Sequence, residues 1–181
     1  MKNHSFSTVG VVGAGAMGRG IAQLAAQANC RVLLLDAQPG AAEAARGTVV
    51  AYWQQALARE RISAAQASAW AAQLQAVDSP AALARCDLVI EAIVERTDAK
   101  QALFAELEAL LPAQAVLATN TSSLSVTALA ARLQRPERFA GLHFFNPAPQ
   151  MKVVEIVPGL RTDLVVCERL DALVRATGHT P

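Results

Sequence analysis

Residues 9–18 read Val-Gly-Val-Val-Gly-Ala-Gly-Ala-Met-Gly, and this run constrains the fold more than any other. An apolar stretch leads directly into G-x-G-x-x-G, and a helical pattern over 19–28 follows. In that context each glycine has a mechanical task. Gly13 permits a tight turn, Gly15 lets the backbone approach a pyrophosphate, and Gly18 lets helix and strand pack closely. Ala16 and Met17 complete the loop, where the helix N-terminus offers N–H groups to phosphates. A glycine-rich turn without a ligand satisfies the same pattern, but Asp36 ends the next apolar run 18 residues after Gly18, near the roughly 20 expected of a ribose-binding acid. A carboxylate there accepts from the 2′-OH of NAD and repels the 2′-phosphate of NADP. Ala37 and Gln38 bring no cation, so the expected cofactor is NAD, although flavoproteins share the fingerprint.

The remaining pattern agrees with a nucleotide-binding sheet. Short apolar runs at 8–12, 31–35, 88–93, 115–119, 139–145 and 153–157 alternate with longer alanine-rich helical stretches. This predicts an α/β, doubly wound, Rossmann-like and mostly parallel sheet. The interval 39–75 is oversized for one crossover; helices over 39–60 and 63–75 are expected to form an inserted hairpin projecting from the sheet. At 181 residues, 53% hydrophobic and 17% charged, one domain covering 1–181 is expected. Sixteen basic residues against 15 acidic ones give no reason to expect nucleic acid as a partner. The longest uncharged stretch, 109–131, is broken by Pro112, Asn120 and three serines, so no membrane span is expected. Cys30, Cys86 and Cys167 are far apart and form no C-x-x-C, which argues against a zinc site or disulfide framework and for a reduced, cytoplasmic setting. No metal is expected.

Polar residues cluster where a buried sheet should be bland. Thr119-Asn120-Thr121-Ser122-Ser123 follows one strand, and His143-Phe144-Phe145-Asn146-Pro147 closes the next. Glu155 interrupts the last apolar run. Open α/β sheets bind ligands beyond the carboxyl ends of their strands, and a histidine beside a carboxylate is the usual acid–base unit. Singly, each residue has a bland alternative: a strand-end hydrogen bonder, a helix N-cap, a surface ion pair.

Taken together, Gly13 to Gly18, Glu91-Ala92-Ile93-Val94-Glu95, Asn120-Thr121-Ser122-Ser123 and His143 to Pro147 resemble the 3-hydroxyacyl-CoA dehydrogenase family, in order from about residue 8 to 181. The wording also resembles its 3-hydroxyadipyl-CoA and 3-hydroxybutyryl-CoA branch in phenylacetate breakdown. The resemblance implies NAD-dependent oxidation of (S)-3-hydroxyacyl-CoA to 3-oxoacyl-CoA. His143 would be the base and Glu155 its partner, with Ser122 and Asn146 donating to substrate oxygens and Glu95, Lys100 and Asn120 beside the cofactor. Alternatives left open are an NAD-binding module without turnover and a dehydrogenase of free hydroxyacids. Two departures stand out. Where the family often holds coenzyme A with a Lys-Gly pair, this chain has Arg59-Glu60-Arg61; Arg59 can meet a phosphate, but a solvated helix end explains the segment equally well. Residues 177–181 resemble the point where the family continues into an all-helical C-terminal domain. The expectation is therefore an NAD-binding domain without that domain, binding NADH with at most a trace of turnover, whereas the full-length form would be a homodimer.

Overall fold

The computed structural model describes residues 4–181. Seven strands form one sheet in the order β3-β2-β1-β4-β5-β6-β7. β1 (Thr8–Val12), β2 (Arg31–Leu35), β3 (Leu74–Val77), β4 (Leu88–Glu91), β5 (Val116–Thr119) and β6 (Phe139–Phe144) run parallel, and β7 (Val154–Pro158) returns antiparallel to β6. The chain winds outward from β1 to β3, then crosses back to β4 on the other side of β1. Beyond the carboxyl ends of these two strands lies the crevice where such sheets take their ligands.

Among the described residues six α-helices cover the sheet: α1 (Ala16–Gln27), α2 (Ala41–Ala58), α3 (Ala64–Gln73), α4 (Thr97–Leu110), α5 (Val126–Ala130) and α6 (Leu164–Ala176). Because successive strand side chains point to opposite faces, the core splits in two. Val9, Val11, Val32, Leu34, Leu88 and Ile90 pack beneath α1, α2 and α6. Val12, Leu33, Leu35, Val89, Leu117 and Phe139 pack against α4 and α5 on the other face. Cys30 is buried in the first cluster and Cys86 in the second. Phe104 and Phe139 meet edge-on at 4.8 Å between centroids, the arrangement aromatic quadrupoles favour.

The interval expected to end as a hairpin at residue 75 differs. Its second helix is opened by a capping box, in which Ser63 and Gln66 exchange side-chain-to-backbone bonds. It stops at Gln73, and the chain passes directly into β3, paired with β2 from Val32–Leu74 to Leu35–Val77. α2 and α3 are therefore the crossover to an edge strand. Trp53 is 1% exposed and lies 5.8 Å from Trp70, sealing the helix pair. Tyr52, next to Trp53 in sequence, is half exposed. α1 begins at Ala16, three residues earlier than its apolar periodicity suggests, because the helix opens inside the glycine loop. Among the described residues no helix is long and apolar enough to cross a membrane.

Candidate active site and dinucleotide cleft

At the end of β1 the backbone of Gly13 takes φ +102°, and a β-carbon there would lie 2.4 Å from the Ala92 carbonyl oxygen. One on Gly18 would lie 1.7 Å from the carbonyl oxygen of Gly13. Turn and helix are thus pressed together as the motif requires. Gly15 is the opposite case, with nothing within 4 Å of an added β-carbon. It is also the N-cap of α1 and gives no side-chain cap, so the amides opening α1 at Ala16, Met17 and Gly18 have no side-chain acceptor. Open space over a glycine at an uncapped helix start fits a pyrophosphate.

Asp36 completes this half of the cleft. Its Oδ2 accepts from Ala14 N at 2.6 Å and its Oδ1 from Gln38 N at 2.8 Å. A carboxylate has about four acceptor positions, so roughly two remain for ribose hydroxyls. Asp36, Gln38 and Gly40 line a cavity of about 210 Å³ with Val77 and Asp78 from the end of β3, and no Lys or Arg lines it. Arg46, the nearest downstream cation, is engaged elsewhere by Glu43 and the Leu74 carbonyl. The residues present fit NAD and disfavour a 2′-phosphate.

Across the crossover point, the strand ends carry a network of buried charge. Glu91, the last residue of β4, is fully buried. Its Oε1 accepts from Lys100 Nζ at 2.6 Å and Ile93 N at 2.7 Å, and its Oε2 accepts from Thr119 Oγ1 at 2.7 Å. Lys100, 1% exposed on α4, also reaches Glu95 Oε2 at 3.2 Å. The Glu95 carboxylate accepts in turn from the Thr121 hydroxyl, Ser122 N and Ser123 Oγ. Partial burial pushes its pKa up, but the bonds from Thr121 and Lys100 outweigh that and hold it below the usual carboxylate value. Glu95 and Lys100 are thus brought together. Glu91 and Thr121 lie within the motifs that carry the family resemblance, but their local sequence gives neither a role. A glutamate in an apolar strand was the available signal for the first.

β6 and β7 supply the third group. Their antiparallel register sets His143 directly opposite Glu155, with Nδ1 2.8 Å from Oε2. A carboxylate can only accept, so Nδ1 carries a proton, and in the neutral ring Nε2 then presents its lone pair. The imidazole side chain is 15% exposed and that of Glu155 54%; the Phe145 ring lies 4.5 Å from the imidazole. Asn120 Oδ1 accepts from Phe144 N at 2.8 Å, tying the end of β5 to that of β6. The N-cap alternative holds for Ser125, which accepts from Ala128 N. Ser122 caps no helix and is exposed in the preceding loop. Asn146 lies beyond His143 and lines a cavity of about 250 Å³ with Arg19, Gly20, Tyr52 and Pro147. Arg19 and Tyr52 carried no recognisable signal, because only folding brings α1 and α2 to this loop. Arg59 is exposed at the C-terminus of α2, at the opposite end of that helix from the Asp36 cavity.

Residues 8–181 match the family described as 3-hydroxyacyl-CoA dehydrogenase, NAD binding domain. The chain is 46% identical over 174 residues to the 3-hydroxyadipyl-CoA dehydrogenase of Escherichia coli K12, covering 96% of this chain and 37% of that protein. It is 38% identical to the 3-hydroxybutyryl-CoA dehydrogenase of Bradyrhizobium diazoefficiens, covering 94% and 58%. The crystal structure of 3-hydroxybutyryl-CoA dehydrogenase from E. coli K12 superposes with a TM-score of 0.95 at 45% identity, over 98% of this chain and 38% of that one. The chain thus spans between about a third and three-fifths of the length of these relatives. With its glycine loop, the acid that follows β2 and the match over residues 8–181, it belongs to the 3-hydroxyacyl-CoA dehydrogenase family, as the NAD-binding domain.

Proposed function

We propose that this chain carries the cofactor site and the acid–base pair for oxidation of (S)-3-hydroxyacyl-CoA to 3-oxoacyl-CoA. The observation that carries the reading is the His143–Glu155 pair, with Nε2 free, at the end of the sheet half opposite Asp36. With the adenosine on the Asp36 side, the nicotinamide falls on the β4–β6 side and beside His143. Bound NAD supplies the hydride acceptor.

The chain's own residues handle the proton and the substrate. His143 Nε2 takes the proton from the C3 hydroxyl, and Glu155 stabilises the imidazolium that forms while holding the ring in one tautomer. In the reverse direction the same imidazolium returns that proton. The Ser122 hydroxyl and the Asn146 amide act as fixed donors to the C3 and thioester oxygens. Asn120 holds β5 and β6 in register, so the two donors keep a constant relation to the base. The cavity between Arg19, Tyr52 and Asn146 takes the coenzyme A arm near the thioester, and Arg59 meets its phosphates. The relatives from Escherichia coli and Bradyrhizobium diazoefficiens are named as dehydrogenases of CoA esters, which supports this substrate class. A cytoplasmic setting belongs to the same reading, supported by Cys30 and Cys86 lying in separate core clusters.

Single-turnover kinetics test the proposal, with the chain in excess over NADH and acetoacetyl-CoA as acceptor. NADH absorbance should fall only when the CoA ester is present. His143→Ala should slow that fall by at least about 100-fold, the lower range for a lost general acid, while NADH binding is retained. An equal rate in His143→Ala, or a rate independent of the CoA ester, overturns it.

A further inference from the structure

Glu91 is a fully buried carboxylate that the proton transfer does not use. Its ion pair with Lys100 is also incomplete as a neutral unit, because Lys100 serves Glu95 as well. The three side chains comprise two carboxylates and one ammonium, a net charge of −1. Thr119 Oγ1 and Ile93 N fix Glu91 from below, and Thr121, Ser122 and Ser123 fix Glu95 from above. Arg96, the N-cap of α4, is paired with Asp98 in solvent and does not cancel it. The unit spans the carboxyl ends of β4 and β5, on the side of the cleft away from Asp36.

We propose that Glu91 is a positioning residue which, through Lys100 and Glu95, forms a charge-bearing unit that favours the oxidised nicotinamide over the reduced one. The nicotinamide ring is a cation in NAD+ and neutral in NADH, so a fixed negative charge beside it acts on one form alone. Shape and hydrogen bonding act on both. A pair built only to hold β4 to α4 would be served as well by apolar side chains of similar volume, since burying two charges costs about what their attraction returns. What apolar residues could not supply is the residual charge at the cleft. The inference rests on the placement of the nicotinamide beside His143 in the proposed function.

Binding to the 181-residue chain tests it, with Kd for NADH from fluorescence and Kd for NAD+ by competition. Glu91→Gln takes the unit from −1 to 0. It should weaken NAD+ relative to NADH by at least about tenfold, the size of one unit charge acting over about 12 Å or less at an effective dielectric near 20. Glu91→Gln combined with Lys100→Met returns the net charge to −1 and should restore the wild-type ratio. Glu95→Gln lies at a partly exposed side chain that tolerates the change, and should shift the ratio in the same direction as Glu91→Gln. Thr119→Val removes a bond to Glu91 without changing charge and should leave the ratio where it was. If both cofactors weaken together in Glu91→Gln and Glu95→Gln and the double variant restores nothing, the residues only brace the fold and the proposal is overturned. If no variant changes either affinity, the ring lies elsewhere and the placement beside His143 fails with it. Loss of CoA-ester turnover while the ratio still follows the charge would remove the proposed reaction and leave this inference standing.

Discussion

At the scale of single residues, function is concentrated in side chains whose bonds to the protein leave one direction open. Asp36 spends two acceptor positions on Ala14 N and Gln38 N and leaves the others open. His143 spends Nδ1 on Glu155 and keeps Nε2. Asp36→Asn retains an oxygen acceptor while removing the charge that repels a 2′-phosphate. NADPH affinity should rise relative to NADH by roughly tenfold, about one charge-assisted hydrogen bond's worth, as read by fluorescence titration of the two cofactors. Equal selectivity in the variant would show that another group discriminates. Both residues were legible in the sequence, because a carboxylate at a strand end and a histidine twelve positions before a lone strand glutamate are local features.

At the scale of elements, the β1–α1 unit separates packing from binding within six residues. A β-carbon on Gly18 collides with the Gly13 carbonyl, so Gly18→Ala forces α1 away from β1. It should cost about 1–3 kcal/mol, as overpacked sites do, lowering Tm and NADH affinity together. Gly15→Ala meets nothing within 4 Å and has a backbone φ of −65° that alanine adopts readily. Its Tm should match wild type while NADH binding weakens severely, since the methyl group occupies the pyrophosphate's place. Thermal melts and NADH titration on both variants distinguish the roles, and parallel losses in the two would contradict them.

At the scale of the whole molecule, acid should undo the fold partly through paired carboxylates. Glu95 is held below its ordinary value near 4.5, and Asp171 is lowered by its bond from Arg175. A carboxylate whose folded pKa is depressed contributes its full stability above the unfolded pKa and loses it as pH falls through the lower folded value. Tm should therefore hold from neutral pH down to about 5 and decline below that. Glu95→Gln should flatten part of the decline, and a variant curve that parallels wild type between about pH 3 and 5 would exclude a role for this carboxylate.

What the sequence determined by itself was the identity of the parts. Glycine spacing sets the loop, two-residue and helical periodicities set most strands and helices, and the alternation along β7 turns Glu155 toward the face that His143 shares. These features depend on φ, ψ and neighbouring side chains, which a short stretch of chain already contains. Other features were decided only by tertiary structure. Leu74–Val77 follows a helix with no glycine or proline to mark the change and becomes a strand because the edge of β2 offers unpaired backbone groups. Glu91 finds Lys100 because α4 folds back over the end of β4, and Arg19 and Tyr52 meet Asn146 because α1 and α2 pack against the loop after β6. Contacts of this kind depend on the order of strands and the seating of helices. No local window carries that information, because it is set by which arrangement of all the elements buries the most apolar surface while leaving few buried polar groups unpaired.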